Sequence, residues 1–96
     1  MSFEWDEGKN KINRRKHGLS FTAAVEVFQD PFAMTVADPS AGIEERWWTI
    51  GRLRTLVVAV VVHVDREETG ETIVRIISAR KTTARERRLY EEESER

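Results

Sequence analysis

The chain has 96 residues, of which 34% are charged and 40% are hydrophobic, and its formal net charge is -1. This length predicts one domain over residues 1–96, with a single modest core and no room for a second. The chain contains no cysteine, which excludes disulfides and thiolate metal sites. The N-terminal residues lack a signal-peptide layout, and the longest apolar run, Leu56–Val62, is too short to span a bilayer, so we expect a soluble cytoplasmic protein.

The first predicted elements are a short strand and a helix. Phe3 and Trp5 alternate with polar residues, which predicts a strand. Asp6 is a suitable N-cap for a helix over Glu7–His17. Gly18 is a suitable stop for this helix, because glycine readily adopts the left-handed conformation found at helix ends.

A second helix and a short strand follow. Ser20 is the predicted N-cap of the helix. Its apolar stripe consists of Phe21, Ala24, Val25 and Phe28. The helix is expected to end at Asp30, because the residue before a proline disfavours the helical conformation. Met34–Ala37 then predicts a short strand, and residues 38–42 predict a loop.

The second half of the chain predicts three strands and a helix. The strands are expected over Arg46–Ile50, Leu56–Val64 and Thr72–Ala79. The middle strand is almost wholly β-branched, so we expect it at the centre of the sheet, covered on both faces. Arg66–Gly70 predicts a polar turn. In the last helix, from about Thr83 to Glu93, Thr83 and Glu86 fit a capping box.

The predicted order of elements is β-α-α-β-β-β-β-α. Strands cluster after helices instead of alternating with them, which is typical of an α+β fold. We therefore expect a mostly antiparallel sheet of about four to five strands, with two N-terminal helices and one C-terminal helix.

Charge is segregated along the chain in spite of the small net charge. Basic residues cluster in Lys9–Lys16 and Arg75–Arg88, whereas Asp65–Glu71 and Glu91–Glu95 are acidic. The chain contains no glycine-rich phosphate loop and no G-x-S-x-G nucleophile motif, and its two histidines are far apart, so a zinc site is not expected. The basic clusters are therefore the main candidates for a functional surface.

Arg80 and Lys81 lie where the last predicted strand passes into the last helix. The free N–H groups at a helix N-terminus attract anions, and nearby guanidinium groups strengthen this attraction. The position predicts an anion site, for which phosphate or a carboxylate-rich partner protein is suitable. The alternative for Arg85, Arg87 and Arg88 is ion pairing with the acidic tail at helical spacing.

Other polar and aromatic residues have two interpretations. His63 ends the apolar run and is either a strand-end histidine half in water or an acid–base group at the sheet edge. Trp47 and Trp48 point to opposite faces of a strand, so one is expected in the core, and the other either stacks on a base or covers the sheet. Glu86 is either the capping-box residue or a general base.

Three stretches carry a specific pattern, FEWDEGKNKINRRKHGLSF, VFQDP and RIISARKTTARERRLYEE. They resemble the BrnT family of bacterial type II toxins, and the match extends over nearly the whole chain. The resemblance implies a RelE-like fold and a ribonuclease activity that blocks translation. It also implies an antitoxin of the BrnA type, which binds the toxin and supplies DNA binding for autoregulation.

From this resemblance and the polar residues, we hypothesise a ribonuclease site without a metal or cofactor. RNA is cut in this way when its own 2′-OH attacks the adjacent phosphorus, and arginine holds the phosphate well but is a poor base. The expected catalytic residues are Arg46, Arg80, Arg87, His63 and Glu86, and the expected RNA-binding residues are Lys81, Arg85, Arg52 and Trp48. We expect the arginines to meet at the end of the last strand.

The rival hypothesis is a non-catalytic interaction protein. In that case the same basic surface docks an acidic segment of the antitoxin, or contributes to a repressor complex in which the antitoxin contacts operator DNA.

Overall fold

A computed structural model describes residues 1–40 and 42–95, so Ala41 of the predicted 38–42 loop lies outside the described residues. The elements in chain order are β1 (Ser2–Glu4), α1 (Glu7–His17), α2 (Phe21–Ala24), a 3₁₀ helix (Val25–Gln29), β2 (Met34–Ala37), β3 (Trp47–Arg52), β4 (Val58–Glu68), β5 (Glu71–Lys81) and α3 (Ala84–Ser94). The predicted α+β fold is confirmed, and the helices and strands follow one another in the expected order.

The strands form one five-stranded sheet in the order β1-β5-β4-β3-β2. β1 is parallel to β5, and the other neighbouring pairs are antiparallel, as predicted for most of the sheet. β4 lies at the centre of the sheet, and two adjacent residues within it, Val60 and Val61, are both fully buried. Since neighbouring side chains of a strand point to opposite faces, both faces of this strand are covered.

The hairpin between β4 and β5 is tighter than predicted. β4 continues to Glu68 and β5 begins at Glu71, which leaves Thr69 and Gly70 as the turn. Both turn residues have positive φ, 48° and 79°, as a two-residue turn of the I′ type requires. The prediction of a turn over Arg66–Gly70 was wrong, because these exposed strand ends lack the apolar alternation of a half-buried strand.

The helix ends have the predicted caps. The Asp6 carboxylate accepts a hydrogen bond from the Lys9 N–H at 2.9 Å, and Gly18 ends α1 in the left-handed conformation. In α3 the Thr83 hydroxyl accepts from the Glu86 N–H while the Glu86 carboxylate accepts from the Thr83 N–H, which confirms the capping box. Within residues 1–40 and 42–95, no helix is long and apolar enough to cross a membrane.

α1, α2 and the 3₁₀ helix cover one face of the sheet. Phe21, Ala24 and Val27 are fully buried there and belong to a core shared with β4 and β5. The predicted second helix changes from α to 3₁₀ geometry at Val25. The tighter winding shifts the buried side, so Val27 is fully buried while the predicted Val25 and Phe28 are only partly buried.

α3 covers part of the opposite face. Its Tyr90 is 1% exposed and packs in a second core with Ile50, Val58 and Val60. The Tyr90 hydroxyl also donates a hydrogen bond of 2.5 Å to the Asp30 carboxylate, which lies just after the 3₁₀ helix. The last helix is therefore attached both to the sheet and to the N-terminal half of the chain.

α1 is attached to β5 through the buried side chain of Asn13. Its amide nitrogen donates to the carbonyls of Leu19 and Ala79, and its oxygen accepts from the Ala79 N–H. β1 pairs with β5 over Ile73–Arg75, and Asn13 satisfies the backbone further along the strand. This places the basic helix α1 beside the end of β5.

Candidate functional site

Arg80 lies near the end of β5, on the face that α3 partly covers. Its two terminal nitrogens donate hydrogen bonds of 2.8 and 3.0 Å to the two carboxylate oxygens of Glu86. The guanidinium carbon also lies 5.6 Å from the centroid of the Trp48 ring, within cation–π range. The residue predicted just past the strand end is thus part of the strand and carries a paired, partly desolvated charge.

Glu86 receives hydrogen bonds from two directions. Its Oε1 atom accepts from the Thr83 N–H as well as from Arg80. The hydrogen bonds from Arg80 lower the pKa of Glu86 to about 2, in spite of its partial burial, and they raise the pKa of Arg80. Glu86 is therefore ionised at neutral pH and is a weak base, which favours the capping interpretation over general-base catalysis.

Arg46 and Arg87 have carboxylate partners of their own. Arg46 precedes β3 and its Nε atom lies 3.6 Å from Glu44. Arg87 on α3 donates to Glu91 at 2.8 Å, an i,i+4 pair of the kind predicted. The register of β3, β4 and β5 puts the Cα atoms of Arg46 and Arg80 roughly 16 Å apart. The structure does not bring the three guanidinium groups into one centre.

A cavity of about 470 Å³ lies where β5 ends and α3 begins. We call it the helix-start cavity; its cations are Lys81 and Arg87, residues 82–84 form its helix side, and residues 55–58 form the opposite wall. Since side chains alternate along a strand, Lys81 extends to the other side of β5 from Arg80. The structure therefore brings together Lys81 and Arg87, away from the Arg80–Glu86 pair.

A second cavity, of about 490 Å³, adjoins the first and shares Lys81 with it. We call it the α1 groove; it lies between α1 and the connection from β3 to β4. Arg14, Arg54 and Lys81 provide its cations, and Glu26 provides its carboxylate. Glu26 accepts a hydrogen bond of 3.0 Å from the backbone N–H of Arg54.

His63 is buried on the face that α1 and α2 cover, and its side chain is 2% exposed. Its Nε2 atom lies 2.7 Å from the Thr49 hydroxyl, its Nδ1 atom lies 2.6 Å from the Asp65 carboxylate, and the Phe28 ring packs against it. The expectation of a histidine half in water was wrong, because β4 continues past it to Glu68. His63 lines neither cavity.

The other predicted RNA-binding residues are dispersed. Trp47 and Trp48 lie on opposite faces of β3, as predicted. The Arg80 guanidinium lies over the ring of Trp48. The Arg52 guanidinium lies 5.6 Å from the Tyr90 ring centroid. Arg85 is exposed in the first turn of α3 and lines neither cavity.

Arg14 and Arg54 were not among the predicted site residues. The basic run Lys9–Lys16 was a signal for Arg14, but which cation of α1 faces a cavity depends on how this helix packs against the sheet. No sequence pattern indicated Arg54, because its position beside the groove depends on the tight β3–β4 connection. Two hydrogen bonds close that connection, from the Leu53 N–H to the Val57 carbonyl and from the Leu56 N–H to the Leu53 carbonyl.

Comparison with protein families decides the relationship. The family model that describes BrnT, the ribonuclease toxin of type II toxin–antitoxin systems, matches residues 5–86. The chain belongs to the BrnT family. The region matched to BrnT contains α1, both cavity walls, Lys81 and the Thr83–Glu86 capping box, and Arg87 follows it directly.

A solved BrnT structure supports the same relationship. The crystal structure of the Brucella abortus ribonuclease toxin BrnT is 27% identical to this chain, and the match covers 86% of this chain and 97% of that one with a TM-score of 0.62. Comparison with curated proteins gives no match.

Proposed function

We propose that this BrnT-family chain is an endoribonuclease that cleaves RNA in the helix-start cavity without a metal ion. The observation that carries the proposal is the convergence of Lys81, Arg87 and the first turn of α3 on one cavity. A helix N-terminus favours negative charge, and two cations beside it strengthen the preference for phosphate. The description of the family as a ribonuclease toxin supports RNA as the source of that phosphate.

RNA carries its own nucleophile, the ribose 2′-OH, beside each phosphodiester. In the proposed reaction the 2′-OH gives its proton to solvent water, the 2′ oxygen bonds to phosphorus and the bond from phosphorus to the 5′ oxygen breaks, which leaves a 2′,3′-cyclic phosphate and a 5′-OH. Arg87 stabilises the added negative charge on the phosphate oxygens, since its exposed pair with Glu91 is weak enough to exchange for phosphate. The Lys81 ammonium gives a proton to the departing 5′ oxygen.

Arg80 and Glu86 act in this proposal as positioning residues, because their bidentate pair ties the start of α3 to the end of β5. Arg46 and Trp48 are proposed to contact RNA outside the cavity, on the open part of the sheet. Buried His63 has a structural role.

The test is cleavage of a mixed-sequence RNA by the purified chain in the presence of EDTA. Lys81→Met is expected to lower the rate about a hundredfold or more, and Arg87→Gln about tenfold or more. Arg88→Gln is the matched control on α3, since Arg88 is exposed and lines neither cavity, and its rate stays within about twofold of wild type. An antitoxin-free wild type that leaves RNA intact contradicts the proposal and favours the interaction-protein alternative.

A type II toxin has an antitoxin partner. We propose that RNA cleavage in the cytoplasm inhibits translation, that a BrnA-like antitoxin neutralises the chain by covering the helix-start cavity, and that operator DNA is contacted only through the antitoxin. Induced expression without the antitoxin is expected to stop growth and protein synthesis. Co-expression of the antitoxin, or Lys81→Met, restores both.

A further inference from the structure

Arg14, Arg54 and Lys81 give the α1 groove an excess of cations. Within residues 1–40 and 42–95 none of the three makes an ion pair, whereas five other arginines do. Those paired arginines are Arg46, Arg66, Arg75, Arg80 and Arg87. Since Glu26 is the groove's carboxylate, the groove carries a net positive charge.

The α1 groove and the helix-start cavity are contiguous. Thr55, Val57 and Lys81 line both, so Lys81 stands at the boundary between them. A chain-like polyanion with one phosphate at Lys81 and Arg87 therefore has its neighbouring unit within reach of Arg14 and Arg54.

The groove also offers an apolar surface beside its cations. Leu19 and Leu53 are 8% and 6% exposed and Val57 is partly buried, and all three line the groove. A volume of about 490 Å³ is within the range of small-molecule sites, which suits an unpaired nucleotide better than a duplex. Proteins bind single-stranded RNA with cations for the phosphates and a stacking surface, most often aromatic, for the bases. In this groove the surface beside the cations is aliphatic.

We infer that the α1 groove is a subsite for the nucleotide adjoining the cleaved phosphate of single-stranded RNA. Arg14 and Arg54 bind the phosphate of this nucleotide, and Leu53 and Val57 contact its base. The inference rests on the proposed ribonuclease function and extends the substrate contact from α3 across Lys81 to α1.

The experiment measures binding of a fluorescent single-stranded 2′-O-methyl oligoribonucleotide of mixed sequence, which has no free 2′-OH and is not cleaved. The variant is Arg14→Glu with Arg54→Glu. The matched control is Arg15→Glu with Arg88→Glu, which changes net charge equally at exposed residues that line neither cavity. The groove variant is expected to bind at least about tenfold more weakly, and the control within about threefold of wild type.

The salt dependence of oligoribonucleotide binding gives a second measurement. Each neutralised phosphate on a single strand contributes about 0.7 to the slope of log K against log salt, so loss of the one phosphate held by Arg14 and Arg54 lowers the magnitude of the slope by about 0.7. Thermal unfolding establishes that the variants are folded, and Arg14→Gln with Arg54→Gln, a milder change, is expected to weaken binding in the same direction.

Three results overturn the inference. Equal losses of oligoribonucleotide affinity in the groove variant and the control show a response to net charge alone. Unchanged affinity in the groove variant shows that RNA does not use the groove. Groove-dependent binding of poly-glutamate that is tighter than RNA binding assigns the groove to an acidic protein instead. Failure of the proposed function is separate, because it appears as intact cleavable RNA whether or not the non-cleavable probe binds.

Discussion

Arg80–Glu86 and Arg87–Glu91 have the same chemistry in different surroundings. The Arg80 and Glu86 side chains are 32% and 18% exposed, whereas those of Arg87 and Glu91 are 61% and 43% exposed. Exposed pairs typically contribute between about 0 and 1 kcal/mol, because water and salt screen them. The partly buried pair is therefore the one that matters for the stability of the fold.

We predict that Glu86→Gln lowers the free energy of unfolding by about 1–3 kcal/mol at neutral pH. Glutamine still accepts the Thr83 N–H, so the loss reports the missing charge beside Arg80. The folded-state pKa of Glu86, about 2 against an ordinary 4.5, stabilises the fold above pH 4.5, and this stabilisation disappears as the pH falls towards 2. Denaturant unfolding across this range should show wild type and variant converging at low pH.

Glu91→Gln is the matched control, since it removes the same charge from the exposed pair with Arg87. We expect a change within about 0.5 kcal/mol. Equal losses from the Glu86 and Glu91 variants would mean that burial of the Arg80 pair has no energetic consequence.

The capping role of Glu86 could be predicted because Thr83 and Glu86 are close in one helix. Its pair with Arg80 could not, since that pair depends on how α3 turns back against β5. His63 was misjudged for a related reason, because the apolar run ends before the strand does. Sequence spacing predicts contacts within an element, and contacts between elements need the three-dimensional register.

Among the elements, the 3₁₀ helix packs closely against β3 at Gly51. A Cβ atom there would lie 2.9 Å from Val27 Cγ1 and 3.0 Å from the Val27 carbonyl oxygen. Because backbone cannot move aside as a flexible side chain can, we predict that Gly51→Ala destabilises the protein by about 1–3 kcal/mol. Thermal or denaturant unfolding measures the effect.

Gly42→Ala provides the comparison for Gly51→Ala, since a Cβ at Gly42 has nothing within 4 Å. It should be neutral or stabilise by up to about 1 kcal/mol, through the lower entropy of the unfolded chain. A Gly51 variant as stable as the Gly42 variant would contradict close packing of the 3₁₀ helix on β3.

The attachment of α3 depends on Tyr90 and Asp30. Burial raises the pKa of Tyr90 to about 12, with the Asp30 carboxylate adding to the effect. Burial alone would raise the pKa of Asp30, but hydrogen bonds from Tyr90, Arg52 and Phe32 lower it. Both shifts describe a Tyr90 hydroxyl that keeps its proton and donates a hydrogen bond to the ionised Asp30 carboxylate.

We predict that Tyr90→Phe costs about 1–2 kcal/mol of unfolding free energy, because the aromatic packing remains but the hydrogen bond to Asp30 is lost. Leu89→Ala, at a residue of α3 that is 49% exposed, is the control and should cost less than about 0.5 kcal/mol. A double-mutant cycle of Tyr90→Phe with Asp30→Asn should show coupling between the two sites, and additive losses would contradict the bond.

At the scale of the whole molecule, the order of strands in the sheet predicts which strand is most resistant to local unfolding. Val60 and Val61 are fully buried in the central strand β4, whereas β2 is a short edge strand with exposed residues. We predict that hydrogen exchange of β4 amides requires global unfolding and is about a hundredfold or more slower than that of β2 amides. Similar rates for β2 and β4 would contradict this.

How much of the candidate site could be predicted depends on where its parts lie in the chain. Lys81 was named because it lies at the junction of the last strand and the last helix, and Arg87 was named through the family resemblance. Arg14 and Arg54 come from distant segments that only the packing of α1 against β5 brings to the same groove. The fold class needed only local periodicity and caps, whereas the site needs the pairing of both ends of the chain.

The pairing of β1 with β5 has a consequence for biosynthesis. Of the five strands, Ser2–Glu4 leaves the ribosome first and the strand beside it, Glu71–Lys81, leaves last. A nascent chain therefore cannot complete its sheet until that strand has emerged, and the residue at its end, Lys81, arrives together with it. Translation that stops early yields a product without the finished sheet and without this lysine.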